Sequence, residues 1–218
     1  MPPAPAHRRG YRGHRGTRAL SFLKEGFIMK KTPVWRILIA AVIYLILFVL
    51  GSSSGAIHPA CYAYVGAVLP LLFGFVYLCV TANLQCFGAA LILNGFVLIV
   101  GLIAGEGNVA LIVGLIVFTA IAELIRMLVG YDTKKGVRMS FLPFAFSFFS
   151  YTAHWWTEKA DALAAAVEEM PVGYAEKMEQ VIDNIPVLIV ALVLTIPIAI
   201  LGMRLAEKAM KKTAAKLK

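Results

Sequence analysis

Three cysteines, twelve acidic side chains and no nucleotide, metal or acyl-transfer motif leave few chemistries open to this 218-residue chain. Cys61, Cys79 and Cys86 are odd in number and lack CxxC spacing, so neither a zinc site nor a required disulfide is indicated. A cysteine inside an apolar run is ordinarily a small packing residue. His58 and His154 alone do not make a metal site. HExxH, GxSxG and Walker A sequences are missing. Glu168-Glu169 matches in part the paired glutamates of intramembrane CAAX-type proteases. It lies in a polar segment, however, with no Arg at the expected distance and no histidine-bearing apolar motif. The chain is expected not to be an enzyme and to hold no cofactor. A solute pump built on it would need partner subunits to bind ATP.

Charge is scarce as well, at 15% of residues against 60% hydrophobic. Its absence is concentrated in six apolar runs, at about 34–51, 59–80, 86–105, 109–129, 139–156 and 185–206. Crossing a bilayer's hydrocarbon core takes about 20 apolar residues of helix. Backbone amides have no water partner there, so each crossing must satisfy its own hydrogen bonds. The expected fold class is all-α, a polytopic membrane bundle of six transmembrane helices over 29–218, with an outer helical segment between spans five and six.

The formal charge of +9 invites a nucleic-acid reading, but its placement does not fit one. Six basic residues and one acid, a net +5, lie in residues 1–28. That Pro-, Gly- and Arg-rich leader has no hydrophobic period and reads as a disordered tail or an upstream mis-start before Met29-Lys-Lys. No nucleic-acid partner is expected; the lipid bilayer is.

The remaining charges orient the spans, because Lys and Arg collect on the cytoplasmic side. Lys30, Lys31 and Arg36 precede the first run, Lys134, Lys135 and Arg138 follow the fourth, and Arg204, Lys208, Lys211, Lys212, Lys216 and Lys218 close the sixth. Between runs five and six, seven acids face only Lys159 and Lys177. Six spans put the basic clusters on one side and the acidic segment on the other. The expected location is the cytoplasmic membrane, multi-pass, with both termini cytoplasmic. A cleaved signal peptide would also explain the basic start, but the first run reaches Leu50, long for a signal core, and an uncleaved span is preferred.

Small residues four apart allow helices to approach closely in lipid. Gly66, Pro70 and Gly74 form one such line, Gly101 and Gly105 another, and Ala191, Thr195 and Ala199 a third. Interior packing is the preferred reading, and docking of a separate membrane subunit the sharper one. Pro70 and Pro197 are expected to kink their spans. Polar residues at membrane depth are costly and therefore candidates for function. Asn94 lies in the middle of span three, and Glu123 and Arg126 pair at i, i+3, either as an interfacial salt bridge or in coupling. His58, Tyr62, Asn94, Glu106, Asn108, His154 and Trp155 are the candidate substrate-binding residues, several of them converging from the outer side. The bland alternative is loop chemistry and an interfacial aromatic belt. Beyond Trp156, an Ala-rich helix broken by Pro171 and Gly173 is either a cap over the bundle mouth or a solvated connector.

From about Met29 onward the chain resembles the Trep_Strep (MptrepStrep) family, regarded as substrate-binding S components of energy-coupling factor (ECF) transporters. The resemblance rests on RILIAAVIYLILFVLG, on QCFGAALILNGFVLIVGLIAGEG, and on AELIRMLVGYDTKKG before a Ser/Phe-rich run. An Ala/Glu-rich segment and a Lys-rich tail complete it. Order and spacing carry more of the case than any single motif. It implies an outward-opening pocket capped by residues 51–58, a small-molecule nutrient, and two kinds of partner: a transmembrane coupling subunit and two ABC ATPases. It also implies a component that topples in the membrane to carry its substrate inward. Two departures stand out. The Ala-x-x-x-Ala docking pattern of the first span is broken, since Ala40 is followed by Tyr44 and Ala41 by Leu45, leaving Ala191–Thr195–Ala199 as the substitute. Glu106 stands where a His is common in the family, which would suit a cationic or hydroxyl-rich ligand. The runner-up function is a non-transporting six-helix scaffold or assembly factor.

Overall fold

A computed structural model describes residues 34–216; the basic leader, Lys30 and Lys31 lie outside them. The described residues are helical throughout, with short turns and no strand. α1 spans Val34–Ser53 and runs into a 3₁₀ turn at Ser54–Ala56. α2 (Pro59–Tyr64), a second 3₁₀ turn (Val65–Ala67) and α3 (Pro70–Asn83) follow, then α4 (Ala89–Ile103) and α5 (Val109–Val129). The fifth run is broken into α6 (Lys134–Phe144), α7 (Ser147–Thr152) and α8 (His154–Thr157). α9 (Lys159–Glu169) and α10 (Tyr174–Ile182) make the acidic segment, and α11 (Ile185–Lys216) ends the chain.

Three helices are long and apolar enough to cross a membrane: Val34–Ala56, Val109–Val129 and Ile185–Thr213. The pair Pro59–Ala67 and Pro70–Asn83 makes a fourth if counted as one span, bent by 44°. The bend expected at Pro70 is present, and it takes the form of a break after which Pro70 starts the second helix, where a first-turn proline gives up no intrahelical bond. α11, by contrast, runs through Pro197 as a single helix. α4 has 15 residues, about 22 Å of rise, because Gly88 (φ 117°) and Gly105 (φ 85°) turn the chain at either end. The expected third run thus contains a helix shorter than the run itself.

The core is an aromatic stack between α1, α3 and the fifth run. Tyr44 meets Phe73 edge-on at 4.7 Å and Phe144 at 5.3 Å, and Phe48 packs on Phe148 at 4.8 Å. Ala40, Ala41, Tyr44 and Phe48 of α1 are all buried, so the first run is part of the bundle. α3 and α11 touch backbone to backbone: a Cβ on Gly74 would lie 2.9 Å from the Gly202 carbonyl carbon. Such contact maximises dispersion between helices that lipid does nothing to push together.

The connections gather at two ends. At the acidic end, Gly55 lies against Tyr174, Glu106 reaches Tyr151, and α9–α10 pack over the mouth. Trp155, Ala166, Met178 and Ile182 form a buried cluster there, and Tyr64 and Trp156 donate to the carbonyls of Val181 (2.8 Å) and Ile182 (3.0 Å). Of the two sequence alternatives for this segment, the cap is the one observed. At the basic end, Arg126 bonds the Leu84 carbonyl, and Arg138 forks onto Glu207 of α11 at 2.5 and 2.6 Å.

Candidate functional site

The acidic end holds a cavity of about 440 Å³. Ser52, Ser53, Gly55 and Ala56 form one wall, at the end of α1 and its 3₁₀ turn. Tyr62 of α2 and Trp155 of α8 line the cavity as well, and Met170 and Pro171 of the linker between α9 and α10, with Tyr174 at the start of α10, complete the lining. Local sequence explains the shape. Ser52 and Ser53 both turn their hydroxyls back onto the Val49 carbonyl at 2.8 Å, as serines do in a last helical turn. Pro171 cannot continue a helix and Gly173 (φ 84°) starts the next one, which lays the linker across the opening. Gly55 leaves room for the cap: a Cβ there would approach the Tyr174 hydroxyl to 3.1 Å.

The walls are aromatic and uncharged. Tyr62 meets Tyr151 (5.9 Å) and Trp155 (6.1 Å) edge-on, and Trp155 packs on the His154 ring at 5.1 Å. The Trp155 indole Nε1 is buried and completes no hydrogen bond, although the Tyr62 hydroxyl lies close enough to interact with it. At the base of the cap, Lys159 contacts Asp183 at 2.6 Å and Glu179 at 3.2 Å. Its hydrogen bond to Asp183 is the main cause that raises the ammonium above the ordinary lysine range.

The seven candidate substrate residues separate into four groups. Tyr62 and Trp155 line the cavity, with His154 behind Trp155 and bonded through Nδ1 to the Tyr151 carbonyl at 2.7 Å. Glu106 is exposed and accepts from the Tyr151 hydroxyl at 3.1 Å; it is connected to the cavity only through the aromatic cluster. His58 and Asn108 cap helices, His58 accepting from Ala60 N–H and Asn108 from Leu111 N–H at 2.7 Å. Asn94 is elsewhere, buried in the bundle centre, accepting from Tyr44 and donating to Thr119 and Ser147. Ser52, Ser53, Met170 and Tyr174 also line the cavity, and sequence reasoning does not single them out. Ser52 and Ser53 fall within the 51–58 segment that the resemblance places over the pocket, and the Pro171–Gly173 break marks the linker that carries Met170 and leads to Tyr174.

Glu123 and Arg126 are both buried, 3.7 Å apart through Oε2 and Nη1, an ion pair without a hydrogen bond. Glu123 Oε1 accepts from the Ala90 amide at 2.7 Å, at the start of α4, while Arg126 Nη2 donates to the Leu84 carbonyl at 2.8 Å. The pair therefore clamps the turn between α3 and α4 onto α5. The small-residue positions face inward: Ala40, Ala41, Ala191, Thr195 and Ala199 are all buried within the chain. They pack the bundle and present no outward docking surface. Among the described residues, no group of three His, Cys, Asp or Glu side chains is placed to hold a metal ion.

Comparison with known proteins adds one finding. Neither a curated protein nor a solved structure matches the chain. A sequence model of a family described as hypothetical bacterial integral membrane protein (Trep_Strep) matches residues 34–216, almost all of the chain beyond the leader. The apolar helices, the inward-facing small residues and this match lead to one assignment: the chain is a multi-pass membrane protein and belongs to the Trep_Strep family.

Proposed function

We propose that this protein is the substrate-binding S component of an ECF-type ABC importer in the bacterial cytoplasmic membrane. It captures a small nutrient from outside and passes it to a transmembrane coupling subunit driven by two ABC ATPases. On this reading the chain is not an enzyme and binds no ATP. The observation that carries the proposal is the cavity at the acidic end, roofed by the α9–α10 linker and flanked by the 3₁₀ turn after α1. A concave, aromatic-lined space of this size is the usual form of a small-molecule site, which ranges over about 300–1,000 Å³.

The gathered connections support six crossings, with α2–α3 as a bent second span, α4 as a short third and α6–α8 as an interrupted fifth. Lys and Arg at the opposite end from the cavity favour a cytoplasmic position for that end, with the cavity facing out. The seven acids between α8 and α11 agree with that side. The docking surface for the coupling subunit is left to the exposed apolar faces of the long helices, where Leu38, Val42 and Ile46 of α1 are 40–56% exposed.

The test is purification of the tagged chain from its native membrane in mild detergent, with mass spectrometry of what accompanies it. Recovery of a coupling subunit and ABC ATPases supports the proposal. Recovery of the bare protein, repeated under crosslinking, overturns it in favour of the scaffold.

A further inference from the structure

We infer that the ligand of the acidic-end cavity is an uncharged, flat heterocycle with an amide-type edge, a class that rests on the binding role proposed above. Three features of the cavity lead there. Its walls carry no Asp, Glu, Lys, Arg or His. A charged ligand would meet no counter-charge in the lining and would give up part of its water against the aromatic walls, which disfavours it. Glu106, the nearest carboxylate suggested by the sequence, does not line the cavity and is held by the Tyr151 hydroxyl.

Tyr62, Trp155 and Tyr174 supply aromatic surface, and Pro171 adds a rigid apolar one. Ring faces and edges of this kind favour a flat π-system over a flexible chain or a compact ion, because offset and edge-on packing match the ring quadrupoles.

The polar groups then set the pattern of the ligand's edge. The Trp155 Nε1–H is a buried donor beside the Tyr62 hydroxyl that completes no hydrogen bond within the protein. Such a group is rare in folded proteins and is satisfied when a ligand brings an acceptor. Ser53 gives its proton to the Val49 carbonyl and keeps acceptor lone pairs, while Ser52 bonds the same carbonyl and also interacts with the Tyr151 hydroxyl. The Trp155 donor and the Ser53 acceptor, both on residues that line the same space, complement a C=O beside an N–H.

The probes are quinoline-3-carboxamide and two charged relatives, quinoline-3-carboxylate and 1-methylquinolinium-3-carboxamide. Binding to the purified full chain in lipid nanodiscs is followed by tryptophan fluorescence and by melting temperature. The neutral carboxamide is expected to bind at least about tenfold more tightly than either charged form, since neither finds a partner in the cavity. Trp155→Phe keeps an aromatic ring and removes the donor, and should weaken the carboxamide about three- to tenfold. Ser53→Asp, at an exposed position where a charge stays in contact with water, should turn the preference toward the cationic probe. Equal or tighter binding of a charged probe to the unaltered chain overturns the inference, as does binding of none of the three. Partner recovery from the same membranes separates the two questions. ATPases recovered without carboxamide binding overturn the ligand class and leave the transporter reading standing. Carboxamide binding without any partner does the reverse.

Discussion

Tyr44 and Asn94 stand 50 positions apart, yet the tyrosine hydroxyl donates to the asparagine Oδ1 at 2.9 Å in the buried centre of the bundle. The asparagine amide nitrogen donates in turn to Thr119 at 2.9 Å and Ser147 at 3.0 Å. One side chain of α4 thereby fastens α1, α5 and α7. Replacing it with Leu strands the Tyr44 hydroxyl in an apolar interior, and Asn94→Leu is expected to destabilise the protein by about 1–3 kcal/mol. Tyr44→Phe should cost about 0.5–1.5 kcal/mol alone and close to nothing in the Asn94→Leu background. Unfolding in nanodiscs measures all three; strict additivity would show that the two residues do not act through each other.

Glu123 and Arg126 make a contrasting pair, since their mutual contact at 3.7 Å is the weaker half of what they do. Each holds a backbone group of the turn before α4 or the start of α4 itself. Removing the cation alone leaves a buried carboxylate without its counter-ion, a change that costs about 3–5 kcal/mol where the pair is fully desolvated. Arg126→Met should accordingly destabilise much more than the double variant Glu123→Gln/Arg126→Met. A double variant as unstable as the single one would place the damage in the Leu84 contact and not in the orphaned charge.

The two pairs differ in how readable they are. Glu123 and Arg126 share a helix face by i, i+3 spacing, so their proximity follows from the chain itself. Asn94 draws its partners from three other helices, and only its burial cost is legible in the sequence. The apolar runs are legible for the same reason as the ion pair: composition over about 20 residues is a local property. Their interruptions are less so. Pro70 and Pro197 look alike in sequence, but one starts a helix after a 3₁₀ turn and the other sits within α11. The cavity is half legible, through Tyr62 and Trp155. Tyr174 reaches Gly55 only because the α9–α10 cap folds back over the mouth, a long-range event with no local signature.

Gly202 offers a test of the α3–α11 contact. A side chain there meets the Pro70 carbonyl and the Leu71 Cα, both backbone atoms that cannot swing aside. Gly202→Val should push the helices apart and cost about 1–3 kcal/mol or more as an overpacked substitution. Gly95, where an added Cβ would meet nothing within 4 Å, is the matched control, and Gly95→Ala should be neutral or slightly stabilising through helix propensity. Thermal unfolding of both variants checks the contrast. Equal effects would mean that the close approach does not hold in the membrane.

The orientation proposed for the bundle rests on charge, and two exposed positions can report it. Val172 is fully exposed in the linker of the α9–α10 cap, and Lys212 is exposed near the end of α11. With Cys61, Cys79 and Cys86 replaced by Ala, single cysteines at these positions give separate signals. Val172→Cys should react with a membrane-impermeant maleimide in intact cells, and Lys212→Cys only after permeabilisation. The reasoning is that every basic cluster of α6 and α11 would have to be translocated for the opposite result, whereas the acidic cap carries no such bias. Labelling of Lys212→Cys in intact cells would turn the cavity toward the cytoplasm. Capture of a nutrient from outside would then fail on geometry, whatever partners the protein keeps.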